Sequence, residues 1–277
     1  MGSSYHQFCP VAKAMELLDQ RWTMLIIREL LLGSRHFNDI RRGVPKMSPS
    51  LLSKRLHDLT RAGIVERRND GHEVEYTLTA AGKELRAAVE SLGAWGMRWI
   101  GRIGDEDLDP KLLMWDLHRH VDAALVPPGR TVVSFRFMDV PAKIGNWWLV
   151  ITAEEVDVCD FDPGYAVAVS VTGTLRRMIE IWRGDLGWSA AIRSGSIQLE
   201  GPERLCRAVP KWFPPSQLPR CLARRSISLH YDGRPLRRLQ ESSRMGGVTG
   251  WRMFASDEGG ESGARLQSAI GLCTWPS

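Results

Sequence analysis

Ser50, Ser53, Lys54 and His57 are the side chains in this sequence whose types and spacing best suit specific polar recognition. They fall within residues 48–62, where the apolar positions are Leu52, Leu56 and Leu59. At roughly 100° per residue the three leucines share one side of a helix, and the polar four, with Arg61, take the other. Ser48 opens the stretch with a hydroxyl able to accept from a first-turn amide. Pro49 follows at the first helical position, where its missing N–H costs nothing. One face packs; the other is short, polar and basic. Downstream, Arg67 and Arg68 border Asn69-Asp70-Gly71-His72, whose Asp-Gly favours a tight hairpin between the alternating runs 64–68 and 74–78. Nine basic residues from Arg35 to Arg68 stand against Asp39, Asp58 and Glu66. Such an excess suits a polyanionic partner, although a charge run is commonly only a solvated face and strand-end arginines can simply guard an edge.

The elements that must position these residues are legible on both sides. Residues 9–32 read as two helices, with Val11, Met15 and Leu18 on one stripe, then Trp22, Leu25, Ile26 and Glu29 flanked by Leu30 on the next, and Gly33 as terminator. A shorter helix over 37–42 ends at Gly43, and Val44-Pro45 cannot continue it. After the hairpin, Thr79-Ala80-Ala81-Gly82 opens a long helix through Leu85, Val89, Leu92, Trp95 and Trp99. That stripe is too apolar for a helix left in water on an isolated monomer. Helix, helix, turn, capped polar-faced helix, basic hairpin and closing helix is the order of a winged helix-turn-helix, in which the second helix of the motif enters the DNA major groove.

The same residues resemble the HxlR-type winged-helix regulators: Cys9-Pro10, RWTMLIIRELLLGSRHFNDI at 21–40, SPSLLSKRLHDLTRAGIVERR at 48–68 and VEYTLTAAG at 74–82. The resemblance covers about residues 5–100. It implies a homodimer formed through the terminal helices and binding to a two-fold site on double-stranded DNA. Ser48, Pro49, Ser50, Ser53, Lys54, His57, Arg67 and Arg68 are the expected DNA-binding residues. Cys9 occupies the position at which some members sense oxidants or electrophiles, and Lys13 one turn on would favour a thiolate. The alternative for Cys9 is a small buried hydrophobe.

Charge divides the rest of the chain. Residues 1–104 carry 16 Lys and Arg against 11 Asp and Glu, residues 105–213 carry 12 against 16, and residues 214–277 carry 9 against 5. We place a winged helix-turn-helix domain at 1–104, a second domain at 105–213 with the linker around 101–110, and a basic, weakly ordered tail at 214–277. The second domain reads as a helix at 111–124, strands near 131–138, 146–152, 155–159, 165–171 and 196–199, and helices at 174–183 and around 205–212. Strands with covering helices make the fold class α+β. The run IWRGDLGWSAAIRSGSIQLEGPERL at 181–205 resembles the C-terminal half of sterol-carrier-protein-like domains, which implies an apolar tunnel for a hydrophobic small molecule. Its candidate ligand-binding wall is Phe135, Phe137, Trp147, Trp148, Met178, Trp182 and Ile197, each of which could equally be plain core.

Catalysis finds no motif: GxSxG, a glycine-rich phosphate loop and HExxH are absent, and no cofactor is expected. His118-Arg119-His120 lacks the spacing that puts two ligands on one helix face. Asp157, Asp160 and Asp162 read more simply as a turn than as a cation site, so no metal is expected. The five cysteines, Cys9, Cys159, Cys206, Cys221 and Cys273, form neither a disulfide framework nor a zinc pattern. Without a signal-peptide pattern or a run of roughly eighteen apolar residues, the expectation is a cytoplasmic protein with no membrane span. The residues thus point to a dimeric regulator modulated by a hydrophobic effector. The alternative is a lipid-binding or transfer protein that uses the winged helix for dimerisation or interaction.

Overall fold

The computed structural model describes residues 4–69, 71, 73–100 and 103–216. Two hydrophobic cores form, one in each half of this stretch. The first half runs α1 (Pro10–Leu18), α2 (Thr23–Leu31), α3 (Phe37–Gly43), α4 (Pro49–Arg61), β1 (Val65–Asn69), β2 (Val74–Leu78), α5 (Ala80–Glu84) and α6 (Arg86–Trp99). Its core gathers Ile26 and Ile27 of α2, Ile40 of α3, the three leucines of α4, and Val65 and Leu78 of the hairpin. Burying each such side chain is worth about 1.5–3 kcal/mol, so this cluster is what holds four short helices and a two-stranded ribbon together.

Local signals set the element ends. The Ser48 hydroxyl accepts from the Leu51 amide at 3.3 Å, with Pro49 at the first helical position. Thr79 likewise caps α5 through the Gly82 amide at 3.2 Å, and its hydroxyl also donates to the Gly63 carbonyl at 2.7 Å. A Cβ at Gly82 would stand 2.3 Å from the Ile64 carbonyl oxygen, so only glycine lets α5 sit against the base of the hairpin. The expected long helix from 79 is two helices: the Leu85 amide closes on the Gly82 carbonyl three residues back, tightening the turn where α5 gives way to α6.

The second half contains α7 (Pro110–Arg119), β3 (Thr131–Phe137), α8 (Ala142–Gly145), β4 (Asn146–Ile151), β5 (Val156–Cys159), β6 (Val169–Gly173), α9 (Leu175–Arg183), α10 (Trp188–Arg193), β7 (Ile197–Glu200) and α11 (Glu203–Trp212). The sheet order is β5-β4-β3-β6-β7, with β3 and β6 parallel and the other neighbours antiparallel. Alternate residues Val133, Phe135 and Phe137 of β3 and Trp147, Leu149 and Ile151 of β4 point into the core, against Met114, Met178 and Trp212.

Two expectations change here. The strand expected at 165–171 begins only at Val169, and Tyr165 and Val167 are exposed. Because β6 runs parallel to β3 with Val169 opposite Val133, residues before 167 pass the start of β3 and have no strand to pair with. Tyr165 instead lies under the guanidinium of Arg130, 4.0 Å from its ring centroid. The helix expected at 111–124 stops at Arg119, where the His120 amide turns back to the Leu117 carbonyl; a 3-10 turn follows at Ala123–Leu125. Of the expected linker, Gly101 and Arg102 lie outside the described residues, and Arg176 holds the following stretch through the Ile103 carbonyl at 3.1 Å and the Asp105 carboxylate. The expected tail lies outside the described residues beyond Ser216.

Candidate nucleic-acid interface

Helix α4 divides sharply. Leu52, Leu56 and Leu59 are buried in the first core, while Ser50, Ser53, Lys54, His57 and Arg61 are exposed, as are Ser48 and Pro49 at its start. Among the described residues, Lys54 and His57 make no hydrogen bond or ion pair, and Ser50 touches only the Ser48 hydroxyl, at 3.3 Å. Arg55 is different: it reaches the Arg21 carbonyl and Asp58, both at 3.4 Å, and braces α4 against the end of α1. The helix therefore offers a row of free donors on a rigidly packed support.

The hairpin beside it is anchored at β2, where Arg35 pairs with Glu75 at 2.8 Å and the Tyr76 amide donates to the Arg35 carbonyl at 2.8 Å. Its arginines separate. Adjacent strand residues face opposite sides, so Arg67 and Arg68 cannot act together on one surface. Arg68 pairs with Glu66 at 3.1 Å, whereas Arg67 has no partner among the described residues. Of the turn, Asp70 and His72 lie outside the described residues; the Asn69 carboxamide oxygen accepts from the Gly71 amide at 3.1 Å.

A second surface of this half is apolar. No residue of α6 is buried, and Leu92 and Trp95 are exposed on it. Val11 and Met15 of α1 are exposed as well, and Phe8 just before it is 99% exposed. Cys9 caps the start of α1, half-buried, with a free thiol. The ammonium of Lys13 binds Glu16 at 2.9 Å, so its charge is already engaged away from the thiol.

The seven side chains expected to wall a ligand do not share one surface. Phe135, Phe137, Met178 and Ile197 are packed inside the second core, with the Phe135 and Phe213 rings edge to face at 5.5 Å between centroids. Trp148 alternates to the opposite face of β4 from Trp147, where it pairs in register with Ser134 and Cys159. Trp147 lines a cavity beside α3, and Trp182 lines another beside α2 and α6; both cavities lie where the two halves meet.

That junction is organised by Glu29, a residue the sequence places on the α2 stripe without indicating a role. Glu29 of α2, with no exposed surface, accepts from Arg28 at 2.6 Å, from Arg119 at 2.9 Å and from the Trp115 indole at 3.3 Å. Arg119 also pairs with buried Asp116 at 3.2 Å, and the guanidinium groups of Arg42 and Arg119 both lie within 5.2 Å of the Trp115 ring. Burial raises the Asp116 carboxyl above the usual range, against the pull of Arg119 and Arg28. A Cβ at Gly43 would fall 1.9 Å from the Glu29 carboxylate, which explains why α3 ends in glycine there. Burial pushes His118 down to about 4, with Arg119 and Arg42 adding like charge; its ring nitrogen is held by the Trp115 carbonyl. His120 similarly turns to the Asp116 carbonyl at 2.7 Å. An acidic residue on the otherwise apolar stripe of Ile26, Ile27 and Leu30 was the one signal of this site in the sequence. Asp162, read as part of a turn, accepts from the Gly164 amide at 2.8 Å.

Residues 17–103 match the family model described as HxlR-like helix-turn-helix. The HTH-type transcriptional regulator YvaP of Bacillus subtilis (strain 168) is 36% identical over 98 residues, which are 34% of this chain and 91% of that relative. Rv3095 of Mycobacterium tuberculosis, also described as an HTH-type transcriptional regulator, is 34% identical over 134 residues, 43% of this chain and 83% of the relative. Among solved structures, the reduced form of the transcriptional regulator YodB from B. subtilis shares 34% identity and a TM-score of 0.31, covering 34% of this chain and 97% of that one. The chain belongs to the HxlR-like helix-turn-helix family of DNA-binding transcriptional regulators. These relatives are regulators rather than enzymes, and no helix among the described residues is long and apolar enough to cross a membrane.

Proposed function

We propose that this regulator binds double-stranded DNA as a homodimer, with α4 in the major groove and Ser50, Ser53, Lys54 and His57 facing the base edges. The observation that carries this reading is the division of α4, whose free polar residues stand outward from three sealed leucines. Ser48 and Pro49 set the helix start against the backbone, and Arg67, without a partner among the described residues, supplies a phosphate contact. Arg68 reaches phosphate only by releasing Glu66. The dimer forms through α1, with Phe8 just before it, and α6, where Phe8, Val11, Leu92 and Trp95 are exposed among the described residues.

The domain at 105–213 binds a small apolar effector and biases DNA affinity. Its support is four strands followed by helix, turn, short helix, a fifth strand of the same sheet and a last helix, the order seen in sterol-carrier-like domains, together with Trp147 and Trp182 on cavities at the junction. Cys9 is the oxidant-sensing residue in this reading: a free thiol at the cap of α1, beside the exposed Phe8 of the proposed dimer face. Footprinting on the adjacent genomic DNA tests the whole reading. The expected result is a protected two-fold site bound about 10³-fold or more tighter than random duplex, with affinity falling steeply as salt rises. Equal binding to random duplex would overturn it.

A further inference from the structure

The junction between the two halves forms an open cleft of about 380 Å³, within the usual size of a small-molecule site. Its apolar part is made of Pro45, Val158 and two indoles, Trp115 and Trp147, which are 9% and 5% exposed. Both of their N–H groups are already used, by Glu29 at 3.3 Å and by the Ile144 carbonyl at 2.8 Å. The Trp115 ring is also packed against His118 at 4.1 Å between centroids and against Arg42 and Arg119, so these indoles offer the cavity carbon edges rather than open faces, which favours a small apolar body. Three cations complete the lining, Arg41 and Arg42 at the end of α3 and Lys111 at the start of α7. Among the described residues, the side chains of Arg41 and Lys111 have neither hydrogen bond nor ion pair, and Arg42 has only Asp39 at 3.5 Å and the Trp115 face. Asp160 contributes one opposing carboxylate, which leaves a surplus of positive charge over the rings.

We propose that this cavity binds a small aromatic anion, one that lies against the exposed edges of the two indoles beside Pro45 and Val158 and places a carboxylate or sulfonate between Arg41 and Lys111. The proposal rests on the effector reading given above and moves the site from the core of the second domain to its junction with the DNA-binding half. The position accounts for coupling. Asn38, Arg41, Arg42 and Pro45 belong to α3 and the turn into α4, whereas Lys111, Trp115 and Trp147 belong to the second half. A ligand held by both shifts DNA affinity to the extent that it prefers one arrangement of α3 against α7.

Calorimetric titration of the full chain with 1-naphthoate, and with its neutral counterpart 1-naphthamide, tests the site. Naphthoate is expected to bind at one per chain and about tenfold or more tighter than the amide, the worth of a charge-assisted contact. The exposed pair Arg41→Gln with Lys111→Gln should abolish that preference, leave amide binding unchanged, and retain wild-type circular dichroism and wild-type operator affinity in the absence of any probe. Equal affinity for the two probes, or naphthoate binding unaltered in the double variant, would overturn the proposal. So would a fall in operator affinity of the unliganded double variant, which would make these side chains phosphate contacts instead. Operator affinity measured with and without naphthoate tests the underlying reading separately. A change of about fivefold or more is expected; selective naphthoate binding with unaltered operator affinity would contradict effector control and leave the binding site standing.

Discussion

The first half of the molecule turns two very different kinds of surface outward from one small core. Toward the second half, α2 and α3 bury charge: Glu29 is surrounded by Arg28, Arg119, Ser34 and Trp115, and Asp116 by Arg119. Away from it, α4 presents free polar groups, and α1 and α6 present uncovered apolar ones. The difference lies in completeness. The inner surface pairs its buried carboxylates, Glu29 with Arg28 and Arg119 and Asp116 with Arg119, and so fixes how the two halves meet, because a buried ion left without its partner is costly. Among the described residues the outer surfaces are unfinished, one in hydrogen bonds and the other in apolar burial. Each calls for another molecule of matching chemistry.

The comparison breaks most severely at the inner surface. Arg119→Ala leaves Glu29 and Asp116 short of their shared partner, and urea denaturation should record a loss of about 3–5 kcal/mol. Arg68→Ala, which removes an exposed pair with Glu66 in the wing, should cost less than about 1 kcal/mol on the same assay. Similar losses in the two variants would erase the distinction between closed and open surfaces. Next in size is the apolar outer face: Leu92→Lys with Trp95→Lys should yield a monomer by light scattering and weaken operator binding by about 10²-fold, since two half-sites no longer act together. A variant that remains dimeric would move the interface elsewhere.

The inner surface also carries a pH signature. His118 titrates near 4 in the folded chain against an ordinary 6.5, so between these values the unfolded chain holds the extra proton. Its neutral form supports the fold fully above about pH 6.5, and that stability is lost as pH falls toward 4, by on the order of 2 kcal/mol after allowance for partial exposure. His118→Gln should flatten the stability profile across this window; a profile identical to wild type would show that the imidazole is not held neutral there. The smallest effect belongs to Arg67→Ala, which should weaken binding to all duplexes alike and reduce the salt slope by about one ion. A changed sequence preference with an unaltered slope would move Arg67 from phosphate to base.

What could be read from the sequence was whatever depends on near neighbours. The Ser48-Pro49 cap and the leucine face of α4 lie within a dozen residues of one another, and the structure places them as the spacing predicts. The apolar surplus of α6 was visible for the same reason. The role of Glu29 was not, because its place on an apolar stripe hints at burial but names no partner, and Trp115 and Arg119 stand 86 and 90 residues away. The alternation of Tyr165, Val167 and Val169 looked like a strand, yet strand formation depends on a neighbour, and β3 begins too late to pair with the earlier residues. Trp147 and Trp148 were grouped by type although the two-residue period of β4 sends them to opposite faces.

The open polar face of α4 is the centre of this account, and Ser53 and Lys54 are its most direct test. Both are exposed and carry no part of the core, so Ser53→Ala and Lys54→Ala should leave folding and dimerisation intact. Titration of each variant against the footprinted operator and against random duplex, at one fixed salt concentration, separates base recognition from general attraction. Each substitution is expected to cost about 1–3 kcal/mol at the operator, with a much smaller loss on random DNA. Operator affinity equal to wild type in both variants would contradict the assignment of α4 as the reading helix.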